Sequence, residues 1–369
     1  MTQKDVVSCK KRVCRHSFIY LSFTILELVN LEDEIKEVMD LTIHRATLKK
    51  DMLEAFSDDK MMSKELKFSI VGFNGNLEDG TGVGVAKKVI SSFFNEIYTS
   101  FCCGAQELVP ILRHDMQRKE WESVARVIVY GTTLEYFPVH ISKMFMMSAF
   151  QDENLLSNED LVSSFLNYIS QDEKEIIQMF QTEFKSNTEE LIDILSSYKC
   201  YTNPTKENLQ HILFQLAHKE IIQKPRYIAS CWNGIFKKIK FPKAFSPSNL
   251  NAVYKRATAT GRKVASLFIA ENMSLEEQTC MEHLRRFVKN LSLENLKRFL
   301  KLCTGADVIT IEKIEMNFSS LVGAARRPVF RTCGPVLELP NTYTCYSELA
   351  EEFQNIMSNP KMAFGFDIC

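Results

Sequence analysis

A cysteine near the end of the chain stands in a context that suits a nucleophile. Cys345 follows Pro340 within the segment Leu339-Pro340-Asn341-Thr342-Tyr343-Thr344-Cys345-Tyr346. A loop after a proline can hold a thiol exposed, and the thiolate form of cysteine is a strong nucleophile. The hydroxyl of Thr344 can donate a hydrogen bond to nearby backbone or to a transient oxyanion. The segment therefore predicts a nucleophilic thiol at Cys345.

Composition sets limits on the class of protein. The chain has 369 residues and is 45% hydrophobic, which is enough for one large core or two medium cores. Its 45 Lys and Arg residues balance 46 Asp and Glu residues, which argues against a nucleic-acid partner. The 11 cysteines show no recurring spacing and follow no secretory signal. We therefore expect a reducing compartment, cytoplasmic or nuclear, with the cysteines other than Cys345 serving as core residues.

The N-terminal segment requires a separate interpretation. Residues 18–29 form an apolar run after a basic stretch, but polar residues interrupt the run, and it is too short to span a bilayer. We expect a helical extension on the main domain and no membrane partner. Cys9, Cys14 and His16 could suggest a metal site, but a fourth ligand at finger-like spacing is missing. For the residues around Cys9, Cys14 and His16, a poorly ordered basic terminus is the favoured interpretation over a metal site.

The elements that would position the thiol can be read from hydrophobic periodicity. The pattern predicts a strand over residues 66–71 and helices over residues 48–56, 121–131 and 350–357. It also predicts helices over three segments of the C-terminal half, residues 254–268, 283–289 and 293–302. A polar stretch at residues 270–278 is the candidate hinge between domains. An aromatic cluster is expected in the core, formed by Tyr227, Trp232 and Phe236.

A glycine-dense loop at residues 72–84 lies between the predicted strand and a helix, an arrangement that invites a nucleotide-binding interpretation. A phosphate-binding P-loop needs Gly-Lys followed by Ser or Thr, whereas Gly84 is followed by Val85-Ala86-Lys87. The dinucleotide fingerprint needs its third glycine three residues after the second, whereas Gly80, Gly82 and Gly84 are spaced by two. Nucleotide binding is therefore disfavoured.

The segment around Cys345 resembles the end of the HECT-type ubiquitin ligases, where the pattern Leu-Pro-x-Ala-His-Thr-Cys-Phe carries the thiol. Four residues fall on that pattern, namely Leu339, Pro340, Thr344 and Cys345. Tyr346 replaces the family's Phe, Thr342 its Ala and Tyr343 its His. Two further segments are similar to family elements in the same order, Asp79-Gly80 with Phe93-Phe94, and Phe299-Leu300-Lys301-Leu302-Cys303-Thr304-Gly305.

The resemblance implies an α+β, bilobal HECT-like fold. Residues 1–45 would form an N-terminal extension, and residues 46–270 a large, mostly helical N-terminal lobe. Within that lobe, residues 153–216 would dock the conjugating enzyme. Residues 271–279 would be the hinge, and residues 280–369 a small α/β C-terminal lobe that carries the catalytic cysteine.

The resemblance also implies an activity. The chain would accept ubiquitin from a ubiquitin-conjugating enzyme as a thioester on Cys345 and transfer it to lysines of a protein substrate. Because the incoming thioester is already activated, neither a cofactor nor a metal is expected. Thr344 would support the loop. In the family a phenylalanine four positions from the end and an acidic group assist the transfer, which implies such roles for Phe366 and Asp367.

One departure from the family keeps a second hypothesis open. After the thiol loop the family has a Leu-Pro-x-Tyr segment and then a helix, whereas here residues 350–357 supply a helix directly. The shortened lobe and Tyr343 are similar to divergent HECT-only relatives of the ligase specific for the phase before mitosis. The alternative is a HECT-like binding module that recruits ubiquitin, conjugating enzyme or substrate without transfer.

Overall fold

The computed structural model describes residues 37–359 apart from residues 79, 81, 151–155, 183–187, 239–246, 324–325 and 333. The predictions for residues 1–36, with Cys9, Cys14 and His16, and those for Phe366 and Asp367 lie outside the described residues. Helices predominate over small sheets, which agrees with the predicted α+β class. No helix among the described residues is long and apolar enough to cross a membrane.

Fourteen α-helices and eight strands are described. The helices are α1 Leu48–Ala55, α2 Val83–Phe101, α3 Arg118–Thr133, α4 Lys143–Phe150, α5 Asn158–Tyr168, α6 Gln171–Thr182, α7 Thr188–Ser197, α8 Leu209–Ala217, α9 Arg226–Lys238, α10 Pro247–Ala257, α11 Gly261–Leu267, α12 Leu275–Lys289, α13 Leu293–Thr304 and α14 Tyr346–Ser358. The strands are β1 Val38–His44, β2 Glu65–Val71, β3 Cys102–Cys103, β4 Val109–Pro110, β5 Phe268–Ile269, β6 Ile314–Ser319, β7 Val329–Arg331 and β8 Val336–Pro340.

The chain divides into two compact units. Among the described residues, one unit comprises those up to Phe93, the segment Val127–Phe137 and those from Val253 onward. The other comprises Phe94–Arg126 and Pro138–Ala252. These boundaries differ from those of the predicted lobes, because the first unit joins β1, β2 and the start of α2 to the C-terminal third of the chain. The division into a lobe of residues 46–270 and a lobe of residues 280–369 stays a prediction.

In the first unit the folded chain begins earlier than the sequence indicated. β1 lies before Arg45 and pairs in parallel with β2, with Val38 opposite Glu65 and His44 opposite Val71. Most of β1 is exposed, and Ile43 is its one buried residue. The alternation of apolar and polar residues that identifies a strand is therefore weak there, which is why the prediction missed it.

The predicted helix over residues 254–268 is two helices. α10 ends at Ala257, and α11 begins after Thr260, whose hydroxyl accepts a hydrogen bond from the backbone N–H of Lys263 at 3.3 Å. A β-carbon on Gly261 would lie 2.8 Å from the backbone of Lys289. The break between α10 and α11 therefore has two functions. Thr260 caps α11, and Gly261 permits a close approach to the end of α12 that a residue with a β-carbon would prevent.

Residues 275–279 of the candidate hinge at residues 271–279 belong to a helix, whereas residues 271–274 precede it; the role of the stretch as a hinge stays a prediction. α12 begins at Leu275, and Ser274 and Glu277 form a capping box at its start. Only the residues before Ser274 lie outside the helix and its cap, and Asn272 among them has a positive φ of 53°. Part of the polar composition that indicated a linker belongs to the first turn of an amphipathic helix.

The C-terminal part of the first unit is built on a four-stranded sheet in the order β5-β6-β8-β7. β5, β6 and β8 run parallel, and β7 is antiparallel to β8. α12, α13 and α14 bury their apolar faces in the same core, which includes Leu284, Phe299, Leu337, Leu349 and Phe353. β8 ends at Pro340, and residues 341–345, here called the thiol loop, connect it to α14. A packed sheet and a packed helix therefore position Cys345.

The second unit is mainly helical, as predicted for the segment before residue 216. The helix predicted over residues 121–131 is part of α3, which begins in this unit and continues into the segment Val127–Phe137 of the first. Trp232 is buried, with ring centroids 6.4 Å from Trp121 and 5.2 Å from Phe145, and Phe236 is buried beside it. The prediction that Tyr227 joins this core is wrong. Tyr227 is 40% exposed, and the guanidinium of Arg118 lies 5.7 Å from its ring centroid.

Candidate functional site

Cys345 is exposed and occupies the N-cap position, the residue just before the first turn of α14. Its backbone is extended, and its thiol makes no capping hydrogen bond to the helix. Side chains favoured at this position are those of Ser, Thr, Asp and Asn, because their oxygens accept a hydrogen bond from an otherwise unpaired backbone N–H. A cysteine here forgoes that hydrogen bond, and its sulfur stays available for chemistry.

Glu348, in the first turn of α14, takes over the role of fixing the chain before the helix. Its carboxylate accepts hydrogen bonds from the backbone N–H of Thr344 at 2.9 Å and from the Thr344 hydroxyl at 3.1 Å. The Thr344 N–H, and after it the Arg326 guanidinium, hold the pKa of Glu348 below its ordinary value. Thr344 thus contacts a carboxylate of the first turn of α14 through both its N–H and its hydroxyl, and its role in supporting the loop stays a prediction.

Arg326 connects three side chains next to the thiol loop. Its guanidinium donates to Glu348 at 2.5 Å and lies 3.6 Å from a carboxylate oxygen of Glu352. The same group lies 4.8 Å from the ring centroid of Tyr343, within the range of a cation–π interaction. The side chain of Arg326 is 21% exposed, so the ion pairs are partly shielded from solvent.

Tyr343 stands where the HECT pattern has histidine, and its side chain is buried. Burial first, and the nearby Glu352 carboxylate second, raise the pKa of the Tyr343 phenol above its ordinary value. The thiol of Cys280 lies 3.9 Å from the backbone carbonyl oxygen of Tyr343 and donates to it. Tyr343 therefore anchors the loop in the core as a neutral side chain.

The two ends of the thiol loop have further anchors. The backbone N–H of Asn341 donates to the carbonyl oxygen of Ser319 at 2.8 Å, and the Thr342 hydroxyl donates to that of Leu321 at 2.6 Å. On the far side of Cys345, the Tyr346 ring lies 4.2 Å from the guanidinium of Arg286. Contacts before and after Cys345 therefore hold the loop while the thiol stays exposed.

The glycine-dense loop does not form a phosphate cradle around its described residues. A β-carbon on Gly84 would lie 2.8 Å from the backbone of Thr332, so this glycine permits close packing. Lys87 is buried and donates to the carbonyl oxygen of Thr310 at 3.2 Å. Lys88 pairs with Glu78 at 3.4 Å. The cations nearest the helix start are therefore engaged by the protein itself.

The other described cysteines divide by exposure. Cys231, Cys280 and Cys303 are buried, as expected for core residues, and burial raises the pKa of all three thiols. Cys103 is exposed, which the prediction of a core role missed. Within the described part of the chain, no group of three or more His, Cys, Asp or Glu side chains could hold a metal ion.

Comparison with known proteins gave no match, either to a protein-family model or to a curated protein.

Two site residues escaped the sequence analysis, Arg326 and Glu348. Glu348 was detectable in principle, because a glutamate three residues after an N-cap is half of a capping box. Cysteine is not a favoured N-cap, so the signal was incomplete. Arg326 had no local signal, since its contacts with Glu348 and Glu352 join segments that are separated in the sequence.

Proposed function

We propose that this chain is a HECT-type ubiquitin-protein ligase that accepts ubiquitin from a conjugating enzyme as a thioester on Cys345 and transfers it to substrate lysines. The observation that carries the proposal is the exposed thiol at the N-cap of α14, which makes no capping hydrogen bond. A cysteine at this position adds nothing to the helix cap, whereas its exposure suits a nucleophile. The order of HECT-like motifs along the chain supports the same assignment.

In the first step, the sulfur of Cys345 attacks the carbonyl carbon of the ubiquitin thioester on the conjugating enzyme. The new C–S bond forms, the C–S bond to the conjugating enzyme breaks, and the departing thiolate takes up the proton that Cys345 releases. Exchange of one thioester for another is roughly energy-neutral and needs no cofactor. The unpaired backbone N–H groups of a helix N-terminus favour the negative charge of the tetrahedral oxyanion.

In the second step, a neutral lysine amine of the substrate attacks the thioester carbonyl. A C–N bond forms, the C–S bond to Cys345 breaks, and the sulfur regains a proton from the amine. Phe366 would position the chain end for this step, and Asp367 would act as an acidic assistant. The fold would be bilobal, the partners would be ubiquitin, a conjugating enzyme and a protein substrate, and the location would be the cytoplasm or nucleus.

A specific observation favours the second candidate, a HECT-like binding module without transfer. One buried and one partly buried polar contact join α2 to α13 and to the residues that follow α13. The Ser91 hydroxyl donates to Asp307 at 2.9 Å, and Lys301 donates to Ser92 at 3.1 Å. A C-terminal lobe that swings at residues 271–279 would have to break these contacts, which oppose the movement that transfer requires.

A charging assay separates the two candidates. The full chain is incubated with activating enzyme, a panel of conjugating enzymes, ubiquitin and ATP, and is then run on a non-reducing gel. An adduct of one ubiquitin that disappears on reduction supports the ligase. Absence of such an adduct with every conjugating enzyme, together with measurable binding of ubiquitin or a conjugating enzyme by calorimetry, contradicts the ligase and supports the binding module.

A further inference from the structure

The N-terminus of α14 presents an electrostatic conflict. A helix N-terminus favours negative charge, and both a thiolate and the oxyanion of a thioester exchange are negative. Glu348 brings a third negative group to the same turn, because its carboxylate accepts from the backbone and hydroxyl of Thr344, the residue just before Cys345. An unpaired carboxylate there would disfavour negative charge on the sulfur and on the oxyanion.

Arg326 resolves this conflict. Its guanidinium donates to the Glu348 oxygen that the Thr344 bonds leave free, since Thr344 uses Oε2 and Arg326 uses Oε1. The guanidinium is itself held by Glu352 at 3.6 Å and by the buried Tyr343 ring at 4.8 Å. Its place is therefore fixed by groups other than the carboxylate that it neutralises.

We infer that Arg326 is a positioning residue for Cys345: by pairing with Glu348 it lets that carboxylate fix the thiol loop without leaving an uncompensated negative charge in the helix turn that follows Cys345. The inference rests on the proposed function, which it deepens by assigning a residue that acts through Glu348 and not on ubiquitin itself. Other charged or titratable groups at the loop include Cys280, whose thiol donates to the Tyr343 carbonyl oxygen, and Arg286 and His283, which pack on the Tyr346 ring.

The test measures Cys345 reactivity with and without ubiquitin. In the full chain, the rate of alkylation of Cys345 by iodoacetamide is followed by peptide mass spectrometry, with the exposed Cys103 as an internal reference. The rate of ubiquitin charging and a thermal melt are recorded on the same variants. The variants are Arg326→Ala, Arg326→Lys, Glu348→Gln and the double variant Arg326→Ala/Glu348→Gln. Arg298→Ala is the matched control, because it removes an Arg–Glu pair of the same 2.5 Å length on α13.

Arg326→Ala is expected to slow both alkylation and charging of Cys345 by about threefold, because it leaves the Glu348 charge unpaired at the helix N-terminus. Arg326→Lys keeps the charge and is expected to retain more than half of the parent rate. The decisive result is rescue. Adding Glu348→Gln to Arg326→Ala removes the uncompensated charge and is expected to return the alkylation rate to near that of the parent. Arg298→Ala is expected to leave both rates unchanged.

Three results would overturn the assignment. The first is an unchanged alkylation rate of Cys345 in Arg326→Ala. The second is slower alkylation of Cys345 in the double variant than in Arg326→Ala. The third is an equal change in the alkylation rates of Cys103 and Cys345 together with a lowered melting temperature. The last result would mean general unfolding. Failure of the proposed function is a separate outcome: if the parent never charges with ubiquitin but Arg326→Ala slows alkylation and Glu348→Gln rescues it, the positioning role stands without the ligase activity.

Discussion

The first turns of α12 and α14 belong to the same compact unit and differ in one respect that bears on function. Each helix has a glutamate three residues after its N-cap, Glu277 after Ser274 and Glu348 after Cys345. At α12 the capping box is complete: the Ser274 hydroxyl accepts from the Glu277 N–H at 3.3 Å, and the Ser274 N–H donates to the Glu277 carboxylate at 2.8 Å. At α14 the N-cap side chain takes no part.

α14 lacks the side-chain hydrogen bond that a favoured N-cap residue would provide. Replacing a favoured N-cap residue typically costs about 1 kcal/mol, so a cysteine at this position lowers stability unless something else offsets it. The hydrogen bonds between Thr344 and Glu348 and the ion pair with Arg326 supply part of that offset. Sites that perform chemistry commonly forgo local stability in this way. The comparison can be tested by exchanging features between the two helix starts.

The largest expected effect is on chemistry. Cys345→Ala is expected to abolish the reducible ubiquitin adduct completely, because no other described thiol stands at an anchored helix start. The melting temperature is expected to stay within a few degrees of the parent, because the side chain is exposed and caps nothing. A non-reducing gel and a thermal melt measure the two effects.

The controls for this variant are Cys303→Ala, which removes a buried thiol, and Cys103→Ala, which removes an exposed one. Both are expected to form the adduct. A reducible adduct that persists in Cys345→Ala would show that the thiol was assigned wrongly.

Ser274→Pro tests whether the start of α12 is a cap or a linker. Proline removes both the hydroxyl and the N–H of the capping box, so the free energy of unfolding is expected to fall by about 2 kcal/mol. Urea denaturation measures it. Ser274→Ala removes only the hydroxyl and serves as the comparison, with an expected loss of about 1 kcal/mol. Unchanged stability of Ser274→Pro would restore the interpretation of this stretch as a free linker.

Exchanging the two N-cap residues tests whether the cap distinguishes the starts of α12 and α14. Cys345→Ser is expected to raise the free energy of unfolding by about 0.5–1 kcal/mol, because a serine hydroxyl can accept the helix N–H that the thiol leaves unbonded. Ser274→Cys is expected to lower it by a similar amount. Urea denaturation of both variants measures the two changes. If the two substitutions shift stability in the same direction, the cap is not what distinguishes the two helix starts.

The smallest expected effect is a pH dependence at Glu348. The pKa of this carboxyl is lowered in the folded chain, so the folded state favours the charged form. Its contribution to stability is then present above the unfolded pKa and is lost as the pH falls through the lower folded pKa. Because the Glu348 carboxylate is partly exposed, we expect its contribution to the free energy of unfolding to be only about a few tenths of a kcal/mol.

The measurement compares unfolding of the parent and of Glu348→Gln from pH 7 down to pH 3. At pH 7 the parent is expected to have the larger free energy of unfolding. Its advantage over Glu348→Gln is expected to shrink below about pH 4.5. A difference that stays constant over this range would contradict the assigned role of the charge.

Local sequence patterns predicted several of the helices and strands of this chain. Periodic apolar residues predicted α1, the helices that became α12 and α13, the strand β2 and the buried face of α14. α13 ends with Gly305 as its C-cap residue, which has a positive φ of 79°. Each of these depends on interactions between residues a few positions apart, such as hydrogen bonds of one turn or one apolar face, and so the local sequence encodes them.

Only the tertiary structure decided which distant segments meet. It placed Arg326 on Glu348 and Tyr343, packed Gly84 against Thr332, left Tyr227 exposed and joined the start of α2 to the C-terminal third of the chain in one unit. These contacts are selected by the packing of whole helices and strands, which no local pattern specifies. Cys345 and Thr344 could therefore be singled out from their own neighbours in sequence, whereas Arg326, which pairs with Glu348, could be found only in space.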